Sequence, residues 1–120
     1  MNHIHLNLKS KWFDMIFSGE KTEEYREIKP FFQKLFCSFF IKNNNCCLKT
    51  CEICSKNLPQ GLNFKKFKTI IFSNGYAKTR RQFEIELKAI EIKTGKVEWG
   101  ASPTQKYFVL TLGKIINKNF

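Results

Sequence analysis

The sequence predicts an α+β fold: a small mixed β-barrel, or curled sheet, of about five or six strands with two flanking helices. Three observations predict it. Apolar residues alternate with polar ones in several short segments, recur at helical spacing in two others, and are separated by glycine or proline. A length of 120 residues fits one domain with a modest core, so residues 1–120 are expected to form a single domain.

The first two elements are a strand and an amphipathic helix. Ile4, Leu6 and Leu8 alternate with polar residues, which is typical of a half-buried strand. Ser10 is the expected N-cap of the helix that follows, and Gly19 is its expected left-handed stop. The apolar face of this helix consists of Trp12, Phe13, Ile16 and Phe17.

A second strand and a second helix come next. The strand is expected from Glu24 onward and ends at Pro30, whose ring disfavours a continued ladder. An apolar stripe beyond the proline predicts a helix packed on the sheet. The stripe consists of Phe31, Phe32, Leu35, Phe36, Phe39 and Phe40.

The remaining chain contains an insertion and three further strands. Residues from about 43 to 63 are rich in asparagine, cysteine and lysine, which indicates a loop or insertion. A buried strand is expected at Thr69–Phe72, and another alternates from Phe83, with a β-bulge near Ala89 that reconciles a change of parity. After a hairpin tip at residues 93–96, the last strand is expected to end near Gly113.

The composition is strongly basic, with a net charge of +11 and a pI of about 9.6. Two explanations stay open: a surface that attracts a polyanion such as RNA, or the lysine- and asparagine-rich drift of an AT-rich genome. No run of about 18 or more apolar residues is present, and the N-terminus lacks the pattern of a signal peptide. We therefore expect no membrane contact and a cytoplasmic location.

A dense group of charged residues follows the first helix, between Gly19 and Glu27. In an extended segment, Thr22, Glu24 and Arg26 share one side of the strand. Lys21 lies in the turn just before them. Two cations and one anion at such a position suit an anionic or amide-bearing ligand better than they suit a core.

The run Gly19–Arg26 matches the G-x-K-x-x-E-x-R signature of the ASCH domain, a family in the PUA-like β-barrel superfamily. The helix with Trp12, the turn at Phe72–Tyr76 and the segment Glu98–Ala101 resemble the small bacterial and phage members. The resemblance covers residues 4 to about 40 and 66 to 116. The cysteine-bearing segment between these parts resembles an insertion that the generic pattern lacks.

The resemblance implies a function but leaves alternatives open. ASCH domains are generally proposed to bind RNA or nucleotides beside this motif, and some are similar to ribonucleases. One branch is an amidohydrolase that removes acyl groups from N4-acetylcytidine, using the motif lysine, a threonine and a distal glutamate. Here Glu24 replaces the threonine, which argues against a copied mechanism, and Glu98 is the candidate distal glutamate.

Three functions are therefore weighed. In the first, a binding module, Lys21 and Arg26 hold phosphate and Glu24 accepts a polar group. The second is a hydrolase with Lys21 as base and Glu24 or Glu98 as its acid–base partner. The third is a structural or interaction role, in which mutation of these residues changes nothing. As a structural alternative to ligand contact, Glu24 and Arg26 could also pair with each other in a salt bridge.

Further residues are candidates for ligand contact, each with a structural alternative. Trp12 and Tyr76 are candidates to stack a base, although aromatics at helical spacing usually belong to a core. Asn74 either reads a base edge or closes its own turn. Arg80 and Arg81, next to Lys78, suit phosphate contacts or guard a strand edge.

The cysteines define a candidate structural zinc site. Its ligands would be Cys46, Cys47, Cys51 and Cys54. The spacing of the last two is that of a zinc knuckle, whereas adjacent cysteines rarely reach one metal together. Reduced thiols without a metal are the alternative, and no cofactor is otherwise required.

Overall fold

The computed structural model describes residues 3–36, 67–75 and 77–120. In chain order the elements are β1 (His3–Leu8), α1 (Ser10–Phe17), β2 (Glu23–Glu27), α2 (Pro30–Phe36), β3 (Thr69–Asn74), β4 (Gln82–Thr94), a 3₁₀-helix (Val97–Trp99) and β5 (Lys106–Lys118). Within these ranges, the α+β class and the five-stranded mixed sheet match the prediction. Over these three ranges, no helix is both long and apolar enough for a membrane crossing.

The five strands form one mixed sheet in the order β1-β3-β4-β5-β2. β1 and β3 pair in parallel, with Ile4 opposite Ile70 and Leu6 opposite Phe72. β3 and β4 pair in antiparallel fashion, with Phe72 opposite Phe83. Because side chains alternate between the two faces of a sheet, this register collects most apolar residues of the three strands on one face. The other face is mainly polar, with Ile71 as an apolar member.

The contacts within the chain define two compact units, which are described separately. The first comprises Met1–Glu24, Phe67–Lys88 and Thr111–Phe120, and the second comprises Tyr25–Lys66 and Ala89–Leu110. The Gly19–Arg26 motif is thus divided: Lys21 and Glu24 belong to the first unit and Arg26 belongs to the second.

In the first unit, α1 packs its apolar side on the apolar face of β1, β3 and β4. Phe13 is fully buried, and its ring meets that of Phe83 nearly edge-on with centroids 4.8 Å apart. Such aromatic pairs add to the free energy of burial itself. The buried apolar residues of this unit are Ile4, Leu6, Leu8, Phe13, Ile16, Ile70, Phe72, Phe83, Ile85, Leu87 and Leu112.

The start of α1 differs from the prediction by one residue, whereas its end agrees. Lys9 occupies the N-cap position with extended backbone and Ser10 is already helical, so the prediction that Ser10 is the cap is wrong. The Ser10 hydroxyl instead donates to Asn74 Oδ1 at 3.3 Å. Gly19 has φ +89°, a conformation that favours glycine, and its amide donates to the Ile16 carbonyl.

The second unit is built around aromatic rings. Phe36 of α2 is fully buried against Phe108 of β5, with ring centroids 5.2 Å apart. A separate cluster is formed by Ala101, Tyr107 and Val109, with Tyr25 packed against it. The run of buried residues from Tyr107 to Leu110 shows that β5 is covered on both faces there.

The two long strands show one predicted irregularity and one difference. Burial in β4 changes parity between Leu87 and Ile90, where the sequence predicted a bulge near Ala89. β5 continues to Lys118 instead of ending near Gly113. The missing side chain at Gly113 has a packing role, since a Cβ there would collide with the Glu86 side chain.

Several predictions lie outside the described residues. These are the insertion at 43–63, the apolar residues Phe39 and Phe40, the stacking candidate Tyr76, and the proposed zinc ligands Cys46, Cys47, Cys51 and Cys54.

Candidate functional site

The turn after α1 fixes the position of Lys21. Gly19 reverses the chain, and the Lys21 amide then donates to the Met15 carbonyl at 2.9 Å. One residue later, the Thr22 carbonyl accepts a hydrogen bond from the Leu112 amide at 3.0 Å. The backbone on both sides of Lys21 is therefore held by hydrogen bonds, and its side chain starts from a defined place.

The Lys21 side chain is buried in an ion pair with Glu24. Its Nζ donates to Glu24 Oε1 and to the Glu23 carbonyl, both at 2.6 Å. Sequence reasoning placed both residues in the site but considered Arg26, not Lys21, as the partner of Glu24. Burying such a pair carries a desolvation cost that often equals or exceeds the Coulomb gain, so apolar residues would serve stability as well.

The two members of the pair differ in what they offer to a ligand. The Lys21 side chain is 0% exposed to solvent, whereas the Glu24 side chain is 9% exposed. In this conformation Glu24 is the member that can meet a ligand atom, and Lys21 orients its carboxylate. A direct contact between Lys21 and phosphate would first require the pair to separate.

Trp12 lies beside the pair. Lys21 Nζ is 5.5 Å from the centroid of the half-buried Trp12 ring, within the range of a cation–π interaction. The Lys11 ammonium is 4.7 Å from the same ring. Sequence reasoning missed Lys11, which is exposed; its signal is its place next to a tryptophan on the polar side of α1.

Asn74 and Arg81 form a second polar group in the first unit. Asn74 Nδ2 donates to the Leu8 carbonyl at 3.2 Å, and its Oδ1 accepts from Arg81 at 3.0 Å. Arg81 also donates to Asp14 Oδ1 at 2.9 Å, with its guanidinium 4.5 Å from the centroid of Phe13. In this arrangement both residues connect the ends of β1 and β3 to α1.

Arg80 and Glu98 were also predicted site residues. The Arg80 guanidinium donates to the Ala77 carbonyl at 3.1 Å, closing its own turn. Glu98 is exposed on the 3₁₀-helix of the second unit.

Arg26 belongs to the second unit and lies against an aromatic ring. Its guanidinium carbon is 5.7 Å from the centroid of Phe32. Lys29 approaches the same ring, also at 5.7 Å. Neither Phe32 nor Lys29 was a ligand-binding candidate from the sequence, although two cations, Arg26 and Lys29, precede the adjacent phenylalanines at 31 and 32.

The polar face of the sheet in the first unit carries Glu84. Thr69 Oγ1 donates to Glu84 Oε2 at 2.6 Å, and Asn117 Nδ2 donates to Oε1 at 3.4 Å. The Thr69 hydrogen bond is the main reason that the pKa of Glu84 lies below its ordinary value, with smaller contributions from Asn117 and from the nearby His3. A recess of about 190 Å³ opens beside Glu84, and the motif residues do not line it.

Among residues 3–36, 67–75 and 77–120, no three histidine, cysteine, aspartate or glutamate side chains are grouped so as to hold a metal ion. Comparison of the chain with models of protein families, with curated proteins and with solved structures finds no match.

Proposed function

We propose that this chain binds RNA or a nucleotide beside Trp12 and the Lys21–Glu24 pair, as an ASCH-type domain of the PUA-like superfamily. The observation that carries the proposal is the buried pair itself, with its 2.6 Å contact and its place at the Trp12 ring. A buried ion pair stabilises a fold little more than apolar residues of similar volume would. Its presence in the G-x-K-x-x-E-x-R motif is better explained by a need for a fixed carboxylate.

The proposed roles follow from exposure and chemistry. Glu24 accepts hydrogen bonds from amino or ring N–H groups of a base, as carboxylates do in base readout. Lys21 holds that carboxylate in one orientation. Trp12 offers apolar surface against which a base can stack, and the exposed Lys11 is near enough to its ring to meet a neighbouring phosphate. The net charge of +11 favours the approach of any polyanion.

The test must separate loss of binding from loss of folding. In the double variant Lys21→Met and Glu24→Leu, both charges are replaced together by apolar groups, a change that is often neutral for stability. Circular dichroism and thermal unfolding establish that it folds. Anisotropy of labelled RNA and nucleotides then measures Kd, and Trp12 fluorescence in a Trp99→Phe background reports contact at the site.

We expect the folded double variant to bind at least about tenfold more weakly than the parent, because each hydrogen bond to a charged group is worth about 1.5–3 kcal/mol. Equal binding by parent and double variant would make the pair purely structural and reject the proposal. Lys114→Met, which removes an exposed lysine of the first unit that belongs to neither proposed contact, serves as the control for a simple loss of charge.

The same proteins allow a turnover assay. The 2.6 Å contact between Lys21 Nζ and Glu24 Oε1 is also a geometry in which a proton can pass between them. Consumption of RNA or of N4-acetylcytidine by the parent, lost in the double variant, would assign a hydrolase. Binding without consumption assigns a binding module.

A further inference from the structure

A series of four phenylalanine rings in the second unit leads from the core to solvent. Phe108 and Phe36 are fully buried and in contact. Phe32 stacks on Phe36 with nearly parallel rings, 5.9 Å between centroids, and Phe31 meets Phe32 edge-on at 5.0 Å. Phe31 itself is 68% exposed. An exposed aromatic ring is thus supported by a series of ring contacts that reaches the core.

Two cations lie at the middle ring of this series. The Arg26 guanidinium and the Lys29 ammonium are each 5.7 Å from the centroid of Phe32. Glu27 approaches Lys29 only at 4.0 Å, and both side chains are more than half exposed, so this pair contributes little in water.

We propose that Phe31, Phe32, Arg26 and Lys29 form a stacking platform for single-stranded RNA. The inference rests on the proposed function, for which it names the form of the ligand: an unpaired strand. Unpaired bases expose the faces that aromatic side chains stack upon, and cations beside the rings take the phosphates of the same strand. Bases in a duplex are already stacked on one another and gain nothing from an exposed ring.

The charges favour this occupant over a protein surface. An apolar docking face is usually depleted of charge at its centre, whereas here two cations lie against the central ring itself. Aromatic rings with cationic side chains beside them are the combination found in proteins that bind single strands. A second copy of this chain, with the same positive charge, would be repelled at this patch.

The experiment compares substitutions at Phe31 that keep or remove the ring. Phe31→Leu keeps apolar surface but loses the aromatic face, and Phe31→Tyr keeps the face. Val97→Ala is the matched control, since Val97 is an exposed apolar residue of the same unit. Binding of a labelled oligouridine is measured by anisotropy over a range of salt, with the duplex of oligouridine and oligoadenosine as the comparison ligand.

We expect Phe31→Leu to weaken single-strand binding by roughly tenfold, with Phe31→Tyr and Val97→Ala close to the parent. Arg26→Gln should lower the slope of log K against log salt by about 0.7, the value for one phosphate contact on a single strand. Equal affinity of the parent and Phe31→Leu would overturn the inference, as would preference for the duplex. Self-association that Phe31→Ser abolishes would also overturn it and assign the patch to a second copy.

The two proposals fail in different ways. Loss of binding in the Lys21→Met and Glu24→Leu double variant, with no effect of Phe31→Leu, leaves the proposed function standing and rejects the platform. A parent protein that binds neither RNA nor nucleotide rejects both.

Discussion

The buried ammonium group of Lys21 contacts three protein groups in place of water: a carboxylate oxygen, a backbone carbonyl and an indole ring. Each is a good partner for an ammonium, but none can be removed without leaving a charge in a place that water does not reach. The same is true of Glu24 if Lys21 is lost. Stability and orientation of the site therefore depend on the same two atoms, Lys21 Nζ and Glu24 Oε1.

We predict that a single substitution at this pair destabilises the protein far more than the double substitution does. Lys21→Ala should lower the free energy of unfolding by about 3–5 kcal/mol, because it leaves Glu24 buried without its counter-charge. Lys21→Met with Glu24→Leu should cost much less than the single change. Chemical denaturation measures both, and Lys29→Ala, at an exposed position, should change the free energy by less than about 1 kcal/mol. A single variant as stable as the double would show that the pair is hydrated and not buried.

The sequence predicted that Lys21 and Glu24 belong together, but not that they bond to each other. Period-two alternation fixes the side of a strand on which Glu24 lies. It does not fix the direction of Lys21, which precedes the strand in a turn set by Gly19 and by a backbone hydrogen bond to Met15. Asn74 and Arg81 show the same limit, since their contacts join residues 66 and 67 positions apart in the chain.

At the scale of elements, one carboxylate on the polar face of the sheet accepts hydrogen bonds from the two strands beside its own. Glu84 lies on β4, its donor Thr69 on β3 and its donor Asn117 on β5. His3 of β1 makes a smaller electrostatic contribution to the lowered pKa of Glu84. These side-chain hydrogen bonds link the three strands to one another, in addition to the hydrogen bonds between their backbones.

Because the pKa of Glu84 is lowered in the folded protein, its ionised form stabilises the fold. That contribution is present above the pKa of the unfolded chain and is lost as pH falls through the folded value. Thr69→Val removes the hydrogen bond that contributes most to the lowered pKa of Glu84. We predict that this substitution raises the pKa of Glu84 and destabilises the protein near neutral pH, but less so in acid. Carboxyl NMR titration and unfolding at a series of pH values measure both effects.

Thr69→Ser is the control for this experiment, since it keeps the hydroxyl donor. It should leave the pKa of Glu84 below its ordinary value. A pH-independent cost of Thr69→Val would show that the loss is one of packing and not of the hydrogen bond to Glu84.

Elements with a clear period were predictable, and elements decided by distant contacts were not. β1, α1 and the parity change in β4 follow from local patterns of apolar residues, and β2 was expected from the charged motif after Gly19. The extension of β5 to Lys118 does not, because glycine followed by lysine resembles a strand end. In the longer strand, the Glu86 side chain occupies the space beside Gly113, and the Asn119 amide donates a hydrogen bond to the Gln82 carbonyl. Both contacts join residues that are distant in the sequence.

At the scale of the whole molecule, charge acts in two opposing directions. The chain has 21 lysines and arginines against 10 aspartates and glutamates, a net charge of +11. Such an excess attracts a polyanion, but it also repels itself in the folded state. Both effects weaken as salt shortens the screening distance, from about 30 Å at 0.01 M to about 8 Å at 0.15 M.

We therefore predict that adding sodium chloride over this range raises the Tm of the free protein while it weakens RNA binding. Two exposed lysines of the first unit, Lys78 and Lys114, allow the cause to be separated from the site. Lys78→Glu with Lys114→Glu should flatten the dependence of Tm on salt and weaken RNA binding only modestly, because neither residue belongs to the proposed contacts.

If this surface variant loses as much affinity as the Lys21→Met and Glu24→Leu double variant, binding depends on overall charge and not on a specific site. A large loss confined to the buried pair would instead place recognition at Glu24, with the basic surface accelerating encounter.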